Sequence, residues 1–283
     1  GLSLSEKILY WALLSCHWAL TVHSATSARV LVYTATRGFR HDSIPTALGA
    51  LNKTGQSINV VFENTEDSSQ FNDGNLANFD AIMFVSTTGE VLDDSGKAAF
   101  QKYLNLGGNF VGVHSSSDSL VNTTFYGQEL GAIFDYHPAL QNATVDVQVS
   151  HPSTSMLPAQ WHIQEEMYNF KSDPRAVGAV VVLSANESSY VDDGTRKFGQ
   201  GTPHPSAWFQ EHGAGVESGQ TAGRSFYTSL GHLNETWNDP LFMAHVTGGL
   251  TWALQSNTTR AFNSSASVGN SGSTANPSST SPS

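Results

Sequence analysis

An apolar run too short for a helix, Phe110-Val111-Gly112-Val113, sits between the glycine pair Gly107-Gly108 and the polar stretch His114-Ser115-Ser116-Ser117-Asp118. The glycines close the amphipathic segment before them, as glycines do just past a helix. The run itself reads as a strand covered on both faces, in which Gly112 lets other backbone come close. Similar short runs alternate along the chain with segments of helical period, which restricts it to βαβ units around a mostly parallel sheet flanked by helices. In such sheets ligands bind beyond the carboxyl ends of the strands, so His114 and Asp118 stand where that architecture puts a site. Taken alone, the pair also reads as a hydrogen-bonded strand-end histidine and a helix cap.

Strands are predicted over Arg29 to Tyr33, Ile58 to Phe62 and Asp80 to Val85, the last running into Ser86-Thr87-Thr88-Gly89-Glu90. A helix starts at Ser43 with Pro45 in its first turn, and another is capped by Asp93 or Asp94. Beyond Asp118 the chain is loop-rich, with a short helix near Tyr126 to Leu130. Further strands are predicted at Thr144 to Val149, His162 to Phe170, Gly178 to Leu183, Ala207 to Phe209 and Gly223 to Leu230. A period of two puts Glu166 and Tyr168 on one face of their strand and Glu165 and Met167 on the other. A helix capped by Asp239 and opened by Pro240 closes the domain.

The charge balance, 24 acidic against 13 basic residues and a formal net charge of −11, comes without any lysine or arginine cluster. It argues against nucleic acid or an anionic membrane surface as partner. Lys7, the apolar run Ile8 to Leu20 and the small residues that follow have the layout of a secretory signal peptide over 1–27. The single cysteine, Cys16, lies inside it, so the mature chain is expected to lack disulfides and a thiolate nucleophile. Asn-X-Ser/Thr sequons at Asn52, Asn122, Asn142, Asn186, Asn234, Asn257 and Asn263 point to a glycoprotein of a eukaryotic secretory pathway, extracellular and free of the membrane once the signal is cleaved. The main domain is placed at 28–256. The stretch 257–283, nearly devoid of apolar residues, is expected to be a disordered, O-glycosylated tail or linker.

His41, His114, His137 and His232 follow predicted strands or sit in loops, where a sheet could gather them at one edge. Imidazole suits both proton transfer near neutral pH and metal ligation. With Asp118, Glu166 and Tyr168 the histidines could form an acid–base constellation or a nitrogen-and-oxygen site for a divalent metal, although none shows a tight ligand spacing. Arg224, early in an apolar strand, needs either a carboxylate partner or an anionic ligand. Trp161, Trp208 and Trp237 read as core or rim packing, or as platforms for a sugar face. No G-x-G-x-x-G, Walker A or G-x-S-x-G pattern is present, so nucleotide cofactors are not supported.

Six blocks in order resemble the trehalose-utilisation (ThuA-like) family, from about Ala28 to about Leu254: Gly38 to Pro45, Ser86 to Glu90, Gly107 to Asp118, Gly131 to Pro138, Glu165 to Tyr168, and Gly223 to His232. The resemblance implies a flavodoxin-like sheet of the class I glutamine amidotransferase type. In those relatives a nucleophilic cysteine occupies the turn after the central strand; here the turn carries His114, which excludes amidotransfer through a thioester. The family usually has Asp-Glu-Trp-Tyr where this chain has Glu165-Glu166-Met167-Tyr168. Its link to sugar metabolism, including oxidised keto-glycosides, implies a carbohydrate substrate.

The expectation is therefore a secreted, fungal-type member that cleaves a glycosidic bond by hydrolysis or elimination. His114 or His41 would be the base and Glu166 or Tyr168 the acid. Asp118 would orient an imidazole, Arg224 would neutralise developing charge, and His232 would complete the catalytic set. Arg40, Thr88, His137 and Trp208 are the expected substrate contacts. Two alternatives stay open: a non-catalytic carbohydrate-binding or cell-wall protein, and a metal-dependent hydrolase of a non-sugar substrate.

Overall fold

Strand β4 (Asn109–Val113) is buried along its whole length, as an apolar run between two helices must be. In the computed structural model, which describes residues 27–270, it is the fourth strand of a nine-stranded sheet of order β2-β1-β3-β4-β11-β10-β9-β6-β7. The other strands are β1 (Ala28–Tyr33), β2 (Val60–Thr65), β3 (Ala81–Val85), β6 (Gln141–Val147), β7 (Gln160–Glu165), β9 (Val180–Ala185), β10 (Pro205–Gln210) and β11 (Ser225–Thr228). From β2 to β11 the pairings are parallel. From β11 to β7 they are antiparallel. The expected parallel sheet is thus one half of a mixed sheet, extended by hairpin-type pairing that needs no crossover helices.

Period-two alternation splits the core into two layers. Val30, Val32, Met83, Val85, Val111, Val113 and Phe226 face one side. There they meet helix α1 (Ile44–Gly55) through Ala47 and Leu51, and helix α6 (Pro240–Leu254) through Phe242, Val246 and Leu250. Leu31, Tyr33, Ile82, Phe84, Phe110 and Tyr227 face the other side. They pack on α3 (Asp94–Asn105) through Phe100 and Leu104 and on α4 (Thr124–Leu130) through Tyr126 and Leu130. Short helices α2 (Asp73–Leu76) and α5 (Asn234–Asn238) complete the shell. Each large side chain buried this way contributes about 1.5–3 kcal/mol.

Asp93 caps α3 through Gly96 N–H at 2.8 Å, and Asp239 caps α6 through Leu241 N–H at 2.8 Å. At the other end of α3, Gly107 takes φ +97° while its N–H donates to Leu104 and that of Gly108 to Tyr103. This is a Schellman stop that turns the chain straight into β4. A Cβ at Gly112 would lie 2.6 Å from Leu130 Cδ1, so side chains, not backbone, exploit its missing side chain.

Most strand limits shift by a few residues from those expected, and three differences change the architecture. Strand β2 begins at Val60, because Gln56–Ile58 forms a 3-10 turn ended by Asn59 in the left-handed region. The strand expected over His162 to Phe170 breaks after Glu165. Its remainder, β8 (Asn169–Phe170), pairs with β5 (Phe134–Tyr136) in a separate small sheet. The stretch from 257 to 270 is not a disordered tail. Thr258 Oγ1 donates to Gly107 O at 2.7 Å, Asn109 Nδ2 donates to Thr259 Oγ1 at 2.8 Å, and Val268 is fully buried. Short polar side chains close the amino ends of the central strands, a role that needs hydrogen bonds, not apolar bulk. The expected signal segment with Cys16 and residues 271–283 lie outside the described residues. Among the described residues no helix is long and apolar enough to cross a membrane.

Candidate functional site

The parallel strands β1, β3, β4 and β11 end side by side, with Tyr33 beside Phe84, Val85 beside Val113 and Val113 beside Thr228. The loops leaving these ends carry His41, Thr88, His114 and His232, and the break between β7 and β8 adds Glu166 and Tyr168. Four of these five segments meet because a parallel sheet puts all its carboxyl ends on one rim.

His114 follows β4 at φ +55°, a strained conformation for a side-chain-bearing residue and one that clusters at functional sites. Its Nδ1 lies 2.7 Å from Ser229 O. A carbonyl can only accept, so Nδ1 carries the proton and Nε2 presents a lone pair. Toward that lone pair point Tyr168 Oη at 3.0 Å and His41 Nε2 at 3.0 Å, with Glu166 Oε2 at 3.9 Å. Glu166 Oε2 in turn lies 3.1 Å from His232 Nδ1 and 3.5 Å from His137 Nε2. The His232 contact is at ion-pair distance but lacks hydrogen-bond geometry. One ligand atom each from His41, His114, Glu166 and His232 falls within 4.8 Å of the others, so these four side chains could hold a metal ion.

Burial, reinforced by the charge of His232, lowers His41 to about 4. Burial and the neighbouring His41 hold His114 well below the ordinary imidazole value. Both are neutral at neutral pH. His232 is raised by the Glu166 carboxylate beside it. Burial would raise Glu166, but His232 and His137 outweigh it and the group ends below its usual value. Burial raises Asp118 and lifts the Tyr168 phenol well above 10.

A cleft of about 250 Å3 opens above this knot, lined by His41, Asp118, His137, Glu166 and Tyr168 with the rings of Phe39 and Phe134. His114 is sealed beneath it at 0% exposure. Of the two expected bases, then, His41 meets the cleft and His114 anchors it from below. Asp118 lines the cleft, yet among the described residues no hydrogen bond joins it to an imidazole, so the expected orienting role is not what its position offers. Thr88 lines the cleft too, but its hydroxyl accepts from Gly38 N–H and donates to Phe39 O, holding the loop that carries His41.

Five residues considered for the site are not among those that line the cleft. Arg224 precedes β11 at its amino end, opposite the site, where it pairs with Glu211 at 2.8 Å and lies over the Trp252 ring at 4.7 Å. Trp208 is fully buried and donates to Leu130 O at 2.7 Å, so it offers no sugar platform. Trp161 and Trp237 are core residues as well. Arg40 is exposed and paired with Glu66 at 2.7 Å.

The sequence reading gave no role to the supports around the site. Buried Glu165, raised to about 7 by burial, accepts from Gly231 N–H at 2.8 Å and His232 N–H at 3.2 Å, fixing the turn that presents His232. Its period-two offset from Glu166 was the available signal. His204 Nε2, 2.8 Å from Tyr168 O, steadies the segment bearing the phenol. Nothing in the spacing pointed to His204 or to the Ser229 carbonyl.

A flavodoxin-like, class I glutamine amidotransferase-like fold that gathers three histidines and a glutamate at the carboxyl rim of its parallel strands defines the class of protein. The model of the trehalose-utilisation family matches residues 29–253, and the chain belongs to that family. Among solved structures, a ThuA-like protein from Bacteroides uniformis is 20% identical, with TM-score 0.64, over 81% of this chain and 92% of its own. Another from Parabacteroides merdae is 15% identical, with TM-score 0.61, over 81% and 90%. A cold-adapted β-galactosidase from Rahnella shares the fold at 12% identity and TM-score 0.50, over 80% of this chain and 31% of its own. No curated protein matches the chain.

Proposed function

We propose that the chain is a secreted carbohydrate-active enzyme that cleaves a glycosidic bond by acid–base chemistry in the cleft above His114. The observation that carries this reading is a solvent-open cleft lined by two aromatic rings, a neutral imidazole (His41), a phenol (Tyr168) and a carboxyl raised by burial (Asp118). The rings of Phe39 and Phe134 suit the apolar face of a sugar. A neutral imidazole can take up a proton, a phenol can release one, and a carboxylate whose pKa burial raises is the stronger base for it.

In elimination, His41 or Asp118 removes the proton next to an electron-withdrawing carbon. A C=C bond forms, the glycosidic C–O bond breaks, and the departing oxygen takes a proton from Tyr168 or His137. In hydrolysis the same base takes a proton from water, whose oxygen bonds to the anomeric carbon as the same acid protonates the leaving sugar. Membership of a family described by trehalose utilisation supports a sugar substrate. Exposure of Asn52, Asn122, Asn142, Asn234, Asn257 and Asn263 supports secretion, since a glycan needs surface.

The test is a panel of plant and fungal polysaccharides, disaccharides and their oxidised keto-glycosides, read for new reducing ends and for unsaturated products. Turnover on at least one sugar is expected, lowered roughly 10²–10⁴-fold in Tyr168→Phe and Asp118→Asn with unfolding temperatures held. Binding without turnover across the panel would leave a sugar-binding protein in place of an enzyme.

A further inference from the structure

We infer that His41, His114, Glu166 and His232 form a binding site for one divalent first-row transition metal at the floor of the cleft. His114 has one lone pair available at Nε2, since its Nδ1–H is committed to Ser229 O at 2.7 Å. Three groups crowd that single acceptor: Tyr168 Oη, His41 Nε2 and, further off, a Glu166 carboxylate oxygen.

His41 Nδ1 lies 3.4 Å from Ser115 Oγ. With its proton directed there, the Nε2 lone pairs of His41 and His114 face each other across 3.0 Å. His232 Nδ1 adds a buried nitrogen without a hydrogen-bond partner, 3.1 Å from Glu166 Oε2. The facing lone pairs of His41 and His114 repel one another, and a cation among them would be held by both, by the Glu166 carboxylate and by a deprotonated His232 Nδ1.

The spacing fits. Two donors each about 2.1 Å from one ion stand roughly 3.0–3.4 Å apart in octahedral or tetrahedral geometry, and the His41–His114 and His232–Glu166 contacts fall at 3.0 and 3.1 Å. Three imidazoles and a carboxylate suit zinc or manganese, whereas calcium and magnesium prefer all-oxygen sets. The ligands are also braced from behind, His114 by Ser229 O and the His232 turn by Glu165. Such outer contacts fix ligand orientation at metal sites.

The site stands on this geometry alone; its use in cleaving a glycoside rests on the function proposed above. Arg224 lies at the opposite end of the sheet and cannot steady negative charge in the cleft, whereas a cation beneath it can polarise a substrate oxygen. His41 is then a ligand, the base role falls to Asp118, and the Tyr168 phenol, relieved of His114 Nε2, turns to the substrate.

Protein stripped with a chelator and dialysed is titrated with Zn2+ and with Mn2+ by calorimetry, with thermal unfolding followed alongside. One equivalent should bind at micromolar or lower Kd and raise the unfolding temperature. Glu166→Gln and His232→Ala should each weaken binding about 100-fold or more, while His162→Ala, on the outer strand β7, leaves it unchanged. Absence of one-equivalent binding by the wild-type protein overturns the site, as does full-strength binding by both ligand variants. Binding without turnover on any sugar would sink the proposed function and leave the metal site standing. Undiminished turnover by chelated protein that binds no metal would do the reverse.

Discussion

Arg224 shows how a residue type that is suggestive in sequence acquires its role from position. A guanidinium in an apolar strand demands a partner, and Glu211, the Trp252 carbonyl and the Trp252 ring supply three at the amino end of β11. Arg224→Ala should therefore cost about 1 kcal/mol of stability, from the cation–π contact and one hydrogen bond. Turnover in the cleft should stay within twofold of wild type. Denaturant unfolding beside an activity assay checks both, and a large loss of turnover with stability intact would return Arg224 to the site. His114 is the converse case. Its identity in the turn after the central strand was visible, but its task, presenting Nε2 from beneath the cleft floor, follows from a carbonyl 115 positions away in the chain.

At the scale of single elements, helix α4 carries Glu129, whose carboxyl is fully buried and raised to about 8 by desolvation, partly offset by the Gly215 N–H. Its Oε1 has no partner. Protonation is favoured in the folded state, so stability is full below about pH 4.5 and falls as pH rises through about 8. A shift of this size corresponds to a loss on the order of 5 kcal/mol by pH 9. Glu129→Gln should abolish that loss, and the difference between the pH–stability curves of the two proteins isolates this group. Parallel curves would show that Glu129 is charged in the native protein or reached by water.

For the whole molecule, the segment 257–270 closes the end of the sheet away from the cleft. A chain ending at Ser256 loses the burial of Val268 and the hydrogen bonds of Thr258 and Thr259 to Gly107 and Asn109. Burial and hydrogen bonding together are worth roughly 3–5 kcal/mol, so the unfolding temperature should drop on the order of 10 °C. The metal-binding site, at the opposite rim, should keep its affinity in the native truncated protein. Scanning calorimetry with a zinc titration distinguishes this from a loose tail, whose removal would leave the unfolding temperature unchanged.

The sequence by itself determined the alternation of strands and helices, the glycine stop at Gly107-Gly108, a cap at Asp93 or Asp94 and one at Asp239, and the rim on which His41, His114 and His232 lie. These depend on local periodicity, on backbone angles that glycine tolerates and on side chains reaching their own helix ends. Only the tertiary structure decided that Glu166 faces three imidazoles and that Arg224 and Trp208 are structural. It also decided that the antiparallel half of the sheet continues from β11 and that a serine- and threonine-rich stretch packs against the domain. Each of those outcomes is a meeting of residues distant in the chain, set by strand order and register, and neither is encoded in the spacing of neighbours.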